Sequence, residues 1–265
     1  MVKKTTIVTL LPSIDSDLSR WLTQHWEVDH IEKPHAPIFH VIAVKMKGGK
    51  DAVPFLIIPD GPFQGKYEGM KNWIPKLDKM ARPEKRLIPD EATEKDLHDE
   101  VLRLHKEFRW ETGGGSANWS YYHLFKYRRI VWQSFVTGVP WYEKILARLF
   151  YKKIVKLMSK GLGLSEENAK SSLIKVKKGF DECDAMLSDG RKYLVGDRLT
   201  LADLAWSVSV APVILARGYG GQLPTLDKMP PEMHDEIAAF QKRPAGRFAQ
   251  RIYDEHRNQL FYSDS

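Results

Sequence analysis

Leu194-Val195-Gly196-Asp197-Arg198-Leu199-Thr200-Leu201-Ala202-Asp203-Leu204 is the stretch that decides the fold. Thr200 and Asp203 stand three apart, just ahead of an apolar run. That is the spacing of a helix N-cap whose N3 side chain reaches back to the cap's own N–H, with Asp as a shorter variant of the usual Glu or Gln. Leu199 and Leu204 occupy the flanking positions of a hydrophobic staple. The segment therefore specifies how a helix begins, with a cap contribution of about 0.5–2 kcal/mol. Such a box alone speaks for fold and not for function.

Working outward, the two parts of the chain read differently. Thr5–Leu11 is β-branched and apolar, a buried-strand pattern. Ser16–Trp26 reads as a helix with Leu18, Trp21 and Leu22 on one side, and 28–31 as a second strand. Ile38, Val41, Ile42 and Met46 have helical spacing. Residues 53–58 form a third strand, closed by Pro59-Asp60-Gly61, and Met70, Trp73, Ile74 and Leu77 suggest a further helix. This alternation implies a small α/β layer. From Pro89 onward no strand is expected. Helices are predicted at 93–111, 117–138, 141–160, 165–188, 200–216 and 232–257, with Pro212 ending or kinking the fifth. Leu173, Val176, Phe180, Cys183 and Leu187 mark an inward stripe. The expected plan is an α/β domain at 1–80, a linker at 81–92 and an all-helical domain at 93–265.

Composition narrows the function classes. The 265 residues are 43% hydrophobic and 28% charged, as in a soluble globular protein. No apolar run approaches the roughly 18 residues of a membrane span. Lys3 and Lys4 precede only the short stretch 7–11, and no small-residue cleavage site follows, so no secretory leader is expected. A single cysteine, Cys183, excludes an internal disulfide and fits a reducing cytoplasm. The histidines show no metal-ligand spacing, so no metal is expected. Gly113-Gly114-Gly115-Ser116 lacks the lysine and preceding strand of a phosphate loop; it reads as a break between helices, with Ser116 as a cap.

The formal charge of +7 is concentrated. Residues 141–180 hold ten Lys or Arg and three Glu, an excess equal to that of the whole chain. Lys144, Arg148, Lys152, Lys156 and Lys160 recur every four residues, a continuous stripe opposite Leu146, Leu149, Phe150, Ile154 and Leu157. The plain reading is a solvated helix face. The sharper one is docking on anionic lipid or an acidic partner. Peripheral membrane contact is not the favoured reading. No recognised nucleic-acid motif accompanies the charge.

The 194–204 string resembles the start of the core helix in the C-terminal domain of glutathione transferases. Three further anchors follow the same order as in that family. Pro12-Ser13-Ile14-Asp15-Ser16 with Arg20-Trp21 resembles the first strand-to-helix turn of its thioredoxin-like domain. Val53-Pro54 resembles the pair that opens its third strand, where the proline is cis and the neighbouring backbone pairs with the cysteinyl part of glutathione. Arg243-Pro244-Ala245-Gly246-Arg247 with Tyr253 is similar to the final helix of many bacterial members. The resemblance spans nearly the whole chain. It implies a thioredoxin-like domain followed by a larger all-helical one, a cytoplasmic homodimer, and glutathione as cosubstrate for a small hydrophobic electrophile.

Ser13 and Ser16 sit at a helix start, where unpaired N–H groups and the helix dipole favour an anion. A serine hydroxyl beside the glutathione thiolate adds a charge-assisted hydrogen bond and lowers the thiol pKa. By the family's turn, Ser13 is the first choice for this role and Ser16 the second; the plainer reading is that both cap the helix. Ser16 stands where some relatives carry cysteine, which argues against disulfide chemistry. Cys183, on an inward stripe, reads as core.

The resemblance departs from pattern at 64–72. The family has an acidic residue followed by Ser or Thr there, binding the γ-glutamyl end of glutathione, and no such pair is present. Either Glu68-Gly69 or Lys66-Tyr67 falls in its place. Gln64, Lys66 and Glu68 are substitutes for it, and Lys50 is a candidate for a glutathione carboxylate or a plain loop lysine. In the aromatic-rich stretch 110–142, Trp119 and Tyr122 are candidates for the wall of an electrophile pocket, against a background of core packing. Two functions stay open: a glutathione transferase-like enzyme, and a non-catalytic binding module that keeps the transferase fold.

Overall fold

The computed structural model describes residues 4–257. Its elements in chain order are β1 (Thr5–Leu10), α1 (Ile14–His25), β2 (His30–His35), α2 (Phe39–Met46), β3 (Phe55–Ile58), β4 (Gly65–Glu68) and α3 (Ile74–Met80). There follow α4 (Lys95–Glu107), a π-helical turn (Phe108–Gly113), α5 (Gly114–Leu124), α6 (Arg128–Val136), α7 (Trp141–Leu149) and α8 (Tyr151–Gly161). The last are α9 (Glu166–Leu187), α10 (Leu201–Ile214), α11 (Pro231–Lys242) and α12 (Pro244–His256). By packing, the chain forms two compact units. Among the described residues, one runs to Arg86 and takes in Trp132–Met158; the other holds Leu87–Val131 and 159–257.

The first unit is built on a four-stranded sheet of order β2-β1-β3-β4. β1 pairs with β2 in parallel and with β3 antiparallel, and β4 adds antiparallel to β3. The apolar run that marks β1 is central: Ile7, Val8 and Thr9 are fully buried. β2 is an edge strand, which is why it tolerates Pro34, a residue without a ladder donor. It extends to His35, beyond the expected 28–31, because alternating polar residues carry no apolar signal. β4 escapes sequence reading for the same reason: Gly-Lys-Tyr-Glu has one apolar side chain.

α1 packs Leu18, Trp21 and Leu22 inward. Arg20 is buried with them. Its Nε donates to Glu32 Oε1 at 2.7 Å, and the Thr9 hydroxyl donates to the same carboxylate, tying α1 to β1 and β2. Removing one partner of such a pair strands a buried charge. α7 belongs to this unit through Glu143, which is 2% exposed. Its carboxylate accepts from Ala36 N at 2.8 Å and bonds His35 Nδ1 at 2.6 Å.

In the second unit α10 is the core helix, buried at every position. Asp203 Oδ2 accepts from Thr200 N at 2.7 Å, the reach-back read from the sequence, and Oδ1 accepts from Leu194 N at 2.8 Å. Burying a side chain such as Leu204 or Val208 contributes about 1.5–3 kcal/mol. α10 runs two residues past Pro212 and closes on Leu215 in the left-handed region, φ 50°. Its packing outweighs the hydrogen bond lost at the proline. Trp206 donates to Ala245 O at 3.1 Å and meets Phe108 and Phe180 edge-on, with ring centroids 5.0 and 5.2 Å apart.

The three glycines at 113–115 do not break the chain. Helical backbone continues from α4 through the π turn into α5, and Ser116 is a buried residue of α5 and not a cap. Of the three, Gly115 serves close packing, whereas a Cβ on Gly114 would meet nothing within 4 Å. A Cβ on Gly115 would lie 2.9 Å from Ser172 O, and one on Gly179 would lie 2.3 Å from Thr112 Oγ1, so α9 sits tightly on this run. Three single helices expected from periodicity are each divided. The one expected at 117–138 is α5 and α6, separated at 125–127. α7 gives way to α8 at Phe150, and α11 to α12 at Arg243, where Pro244 begins a new helix and Asp184 accepts from Ala245 N at 2.6 Å.

Candidate functional site

Strand register gathers part of the expected site at one end of the sheet. Val8 pairs with Phe55 and Phe55 with Glu68. Antiparallel pairing therefore sets three points side by side: the turn after β1, the start of β3 and the end of β4. These carry Ser13, the Val53-Pro54 pair and Glu68. The Val53–Pro54 peptide is cis. Gln64 is not brought there. Ile58 pairs with Gly65, so Gln64 lies beyond the opposite end of the same strands. Lys66 points off the middle of β4, opposite Ile57, and is exposed.

Ser13 is the N-cap of α1, with extended backbone at φ −76°, ψ 130°, and its hydroxyl takes a long 3.4 Å bond from Ser16 N. It is half-buried. Ser16 differs: it is fully buried, and its hydroxyl accepts from Leu10 N at 3.2 Å. The two serines thus divide the work, Ser16 closing the strand-to-helix turn internally and Ser13 standing at the mouth of the helix.

Glu68 has a partner that the sequence does not announce. Its carboxylate accepts from three successive backbone N–H groups, Lys50 at 3.0 Å, Asp51 at 2.7 Å and Ala52 at 2.7 Å. Desolvation would raise its pKa, but the three donors outweigh it and the pKa is lowered. Glu68 thereby fixes the loop that delivers Val53 to β3. Lys50 contributes its backbone here, and its side chain is exposed. Glu68 ends β4, Gly69 follows with φ 77° and ψ 134°, and Met70, Trp73 and Ile74 are buried. Glu68-Gly69 therefore stands at the end of β4, against the 50–52 loop. A serine at Gly69 would be strained, because an L side chain rarely adopts that backbone.

In the second unit, Trp119 is buried in α5 and packs edge-on against His123 at 5.3 Å. Tyr122 is half-buried, with Lys126 Nζ 4.8 Å above its ring. Cys183 is fully buried in α9, where desolvation first, then Asp184 and Asp203, raises the thiol pKa well above its ordinary value. Among the described residues no group of three His, Cys, Asp or Glu side chains is placed to hold a metal ion. No described helix is long and apolar enough to cross a membrane.

Residues 146–243 match the family model of the glutathione S-transferase C-terminal domain. That segment is a glutathione S-transferase C-terminal domain by family match. The match at 146–243 takes in the Thr200–Asp203 box, and structural likeness extends the fold to the rest of the chain. A glutathione S-transferase of Ceriporiopsis subvermispora, solved with glutathione, superposes with a TM-score of 0.59 at 11% identity, covering 99% of this chain and 100% of that one. One from Methylobacterium radiotolerans, complexed with glutathione sulfonate, gives 0.51 at 15% identity over 99% of both chains. A family member from Pseudomonas fluorescens with two glutathione bound gives 0.51 at 15%, covering 93% of this chain and 92% of that one. At these identities the likeness establishes the glutathione S-transferase fold: a thioredoxin-like sheet followed by a helical domain. No curated protein sequence matches the chain.

Proposed function

We propose that this chain is a glutathione transferase-like enzyme. The Ser13 hydroxyl donates to the glutathione thiolate at the N-terminus of α1. The sulfur lone pair then forms a bond to an electrophilic carbon of a small apolar compound, whose leaving group departs with its own electron pair. The observation that carries this reading is a half-buried N-cap serine at the same end of the sheet as the Val53-Pro54 pair that opens β3. Helix-terminal N–H groups and the hydroxyl both favour an anion there. Ser16 is passed over because its hydroxyl is buried and engaged by Leu10 N. Val53 supplies backbone for the cysteinyl part of glutathione.

The γ-glutamyl end has fewer partners. Glu68 spends its carboxylate on the 50–52 loop, and Gly69 has no hydroxyl. Glutathione is therefore held weakly, with a high KM. A calorimetric titration with glutathione is expected to show saturable binding in the millimolar range. Ser13→Ala is expected to lower kcat by about 10²-fold, the scale of one donor aimed at reacting charge, with a much smaller change in affinity. Absence of binding at millimolar glutathione would leave the fold as a non-catalytic module, and an unchanged turnover in Ser13→Ala would clear Ser13 of the role.

A further inference from the structure

α7 is turned inside out. Its inward face carries Glu143 and Ala147, while its largest apolar side chains face outward. Trp141 is 72% exposed and Leu149 71%. Ile145, between them on the same i, i+4 row, is exposed too, as are Tyr142 beside them and Phe150 at the junction with α8. Leu157 continues the exposed apolar surface along α8. Scattered exposed apolar residues are ordinary, but five within ten residues on one outer surface form a patch of the kind that marks an interaction site.

The rim of this patch is uniformly basic. Lys144, Arg148, Lys152, Lys153 and Lys156 are all exposed around it, and Lys160 ends the row. Among the described residues no carboxylate pairs with Lys144, Lys152, Lys153, Lys156 or Lys160. The one acid of the stretch, Glu143, is directed inward to His35 and Ala36. An apolar strip with Trp and Tyr, flanked by cations, has the chemistry of a helix lying in a membrane interface: rings at headgroup depth, ammonium groups on lipid phosphates.

We infer that the outer face of α7 and α8 docks on an anionic lipid surface. Charge decides against a second copy of this chain as the occupant, because a two-fold contact through this patch would oppose two basic rims.

Co-sedimentation of the full chain with phosphatidylcholine vesicles, with and without phosphatidylserine, tests this. At low salt the protein is expected to pellet with the phosphatidylserine vesicles, to stay in solution with phosphatidylcholine alone, and to dissociate as salt rises. Lys152→Glu/Lys156→Glu is expected to weaken vesicle binding by roughly tenfold or more, at about one kilocalorie per basic residue at such a surface. Ile145→Asp/Leu149→Asp is expected to abolish it with the circular dichroism of the wild type. The blue shift of tryptophan emission on binding is expected to shrink in Trp141→Phe. Three results would overturn the inference: no pelleting with phosphatidylserine vesicles at low salt, equal pelleting of the outward variants, or a dimer in sedimentation velocity that Leu149→Asp splits.

Discussion

Replacing Asp203 by Ala measures how far the second unit depends on its N-cap network. The carboxylate holds Leu194 N at 2.8 Å, Thr200 N at 2.7 Å and the Thr200 hydroxyl at 2.9 Å, all buried. Alanine leaves two buried backbone N–H groups without an acceptor, and each costs about 1–3 kcal/mol, for a total of about 2–6 kcal/mol. Against a typical domain stability of about 5–15 kcal/mol this is a large fraction. Thr200→Val keeps the backbone donor to Asp203 and loses the hydroxyl's bonds to the Asp203 carboxylate and backbone N–H, the cap contribution of about 0.5–2 kcal/mol. The assay is urea unfolding at pH 4, near the unfolded-state value of about 3.9 and below the Asp203 pKa of about 6, so the cost of taking up the proton on folding stays small. Amide hydrogen exchange should show Leu194 and Thr200 as the amides most accelerated in Asp203→Ala. A loss under about 1 kcal/mol, or one no larger than that of Thr200→Val, would refute the reasoning, since two stranded buried donors cannot cost so little.

Asp203 also predicts a pH dependence: desolvation raises its pKa to about 6 despite three opposing hydrogen bonds, so the protonated form suits the fold. Its contribution is full below the unfolded value of about 3.9 and is lost as pH rises through about 6, by about 3 kcal/mol for a shift of about two units, and Asp203→Asn should flatten this slope between pH 4 and 7. Equal slopes in the two proteins would contradict it. Glu143→Ala should destabilise by about 2–4 kcal/mol in urea unfolding, because the Ala36 N–H and His35 lose a buried acceptor; a change under about 0.5 kcal/mol would show the contact to be idle. Gly179→Ala should lower stability by about 1–2 kcal/mol, since overpacking against buried Thr112 exceeds the gain in helix propensity, and Thr112→Ala should restore it. A stabilised Gly179→Ala would disprove the close approach.

What the sequence made legible followed from local rules. The Thr200–Asp203 spacing marked the start of α10, and the 3-4 row of α9 placed Val176, Phe180 and Cys183 inward, where all three are fully buried. Apolar continuity marked β1 as a buried strand. What stayed hidden depends on partners distant in the chain. The glycines at 113–115 look like a break until α9 is laid on Gly115 at backbone contact. β4 has no apolar rhythm and exists because β3 offers it an edge. Periodicity ran through Phe150 and Arg243 because the helices on both sides keep their patterns while the backbone turns. In the candidate site, the turn at Pro12–Ser16 pointed to a helix start, but the division of labour between Ser13 and Ser16 rests on Leu10 N reaching Ser16. The attachment of Glu68 to the 50–52 loop spans sixteen to eighteen residues and has no signature in spacing.

The central claim, that Ser13 at the mouth of α1 stabilises the glutathione thiolate, is tested most directly by titrating bound glutathione through its ultraviolet thiolate absorbance. The account expects the thiol to ionise below its unperturbed pKa of about 8.5 on the wild-type protein and to move back toward that value on Ser13→Ala. An identical titration midpoint for the two proteins, at saturating glutathione, would contradict it.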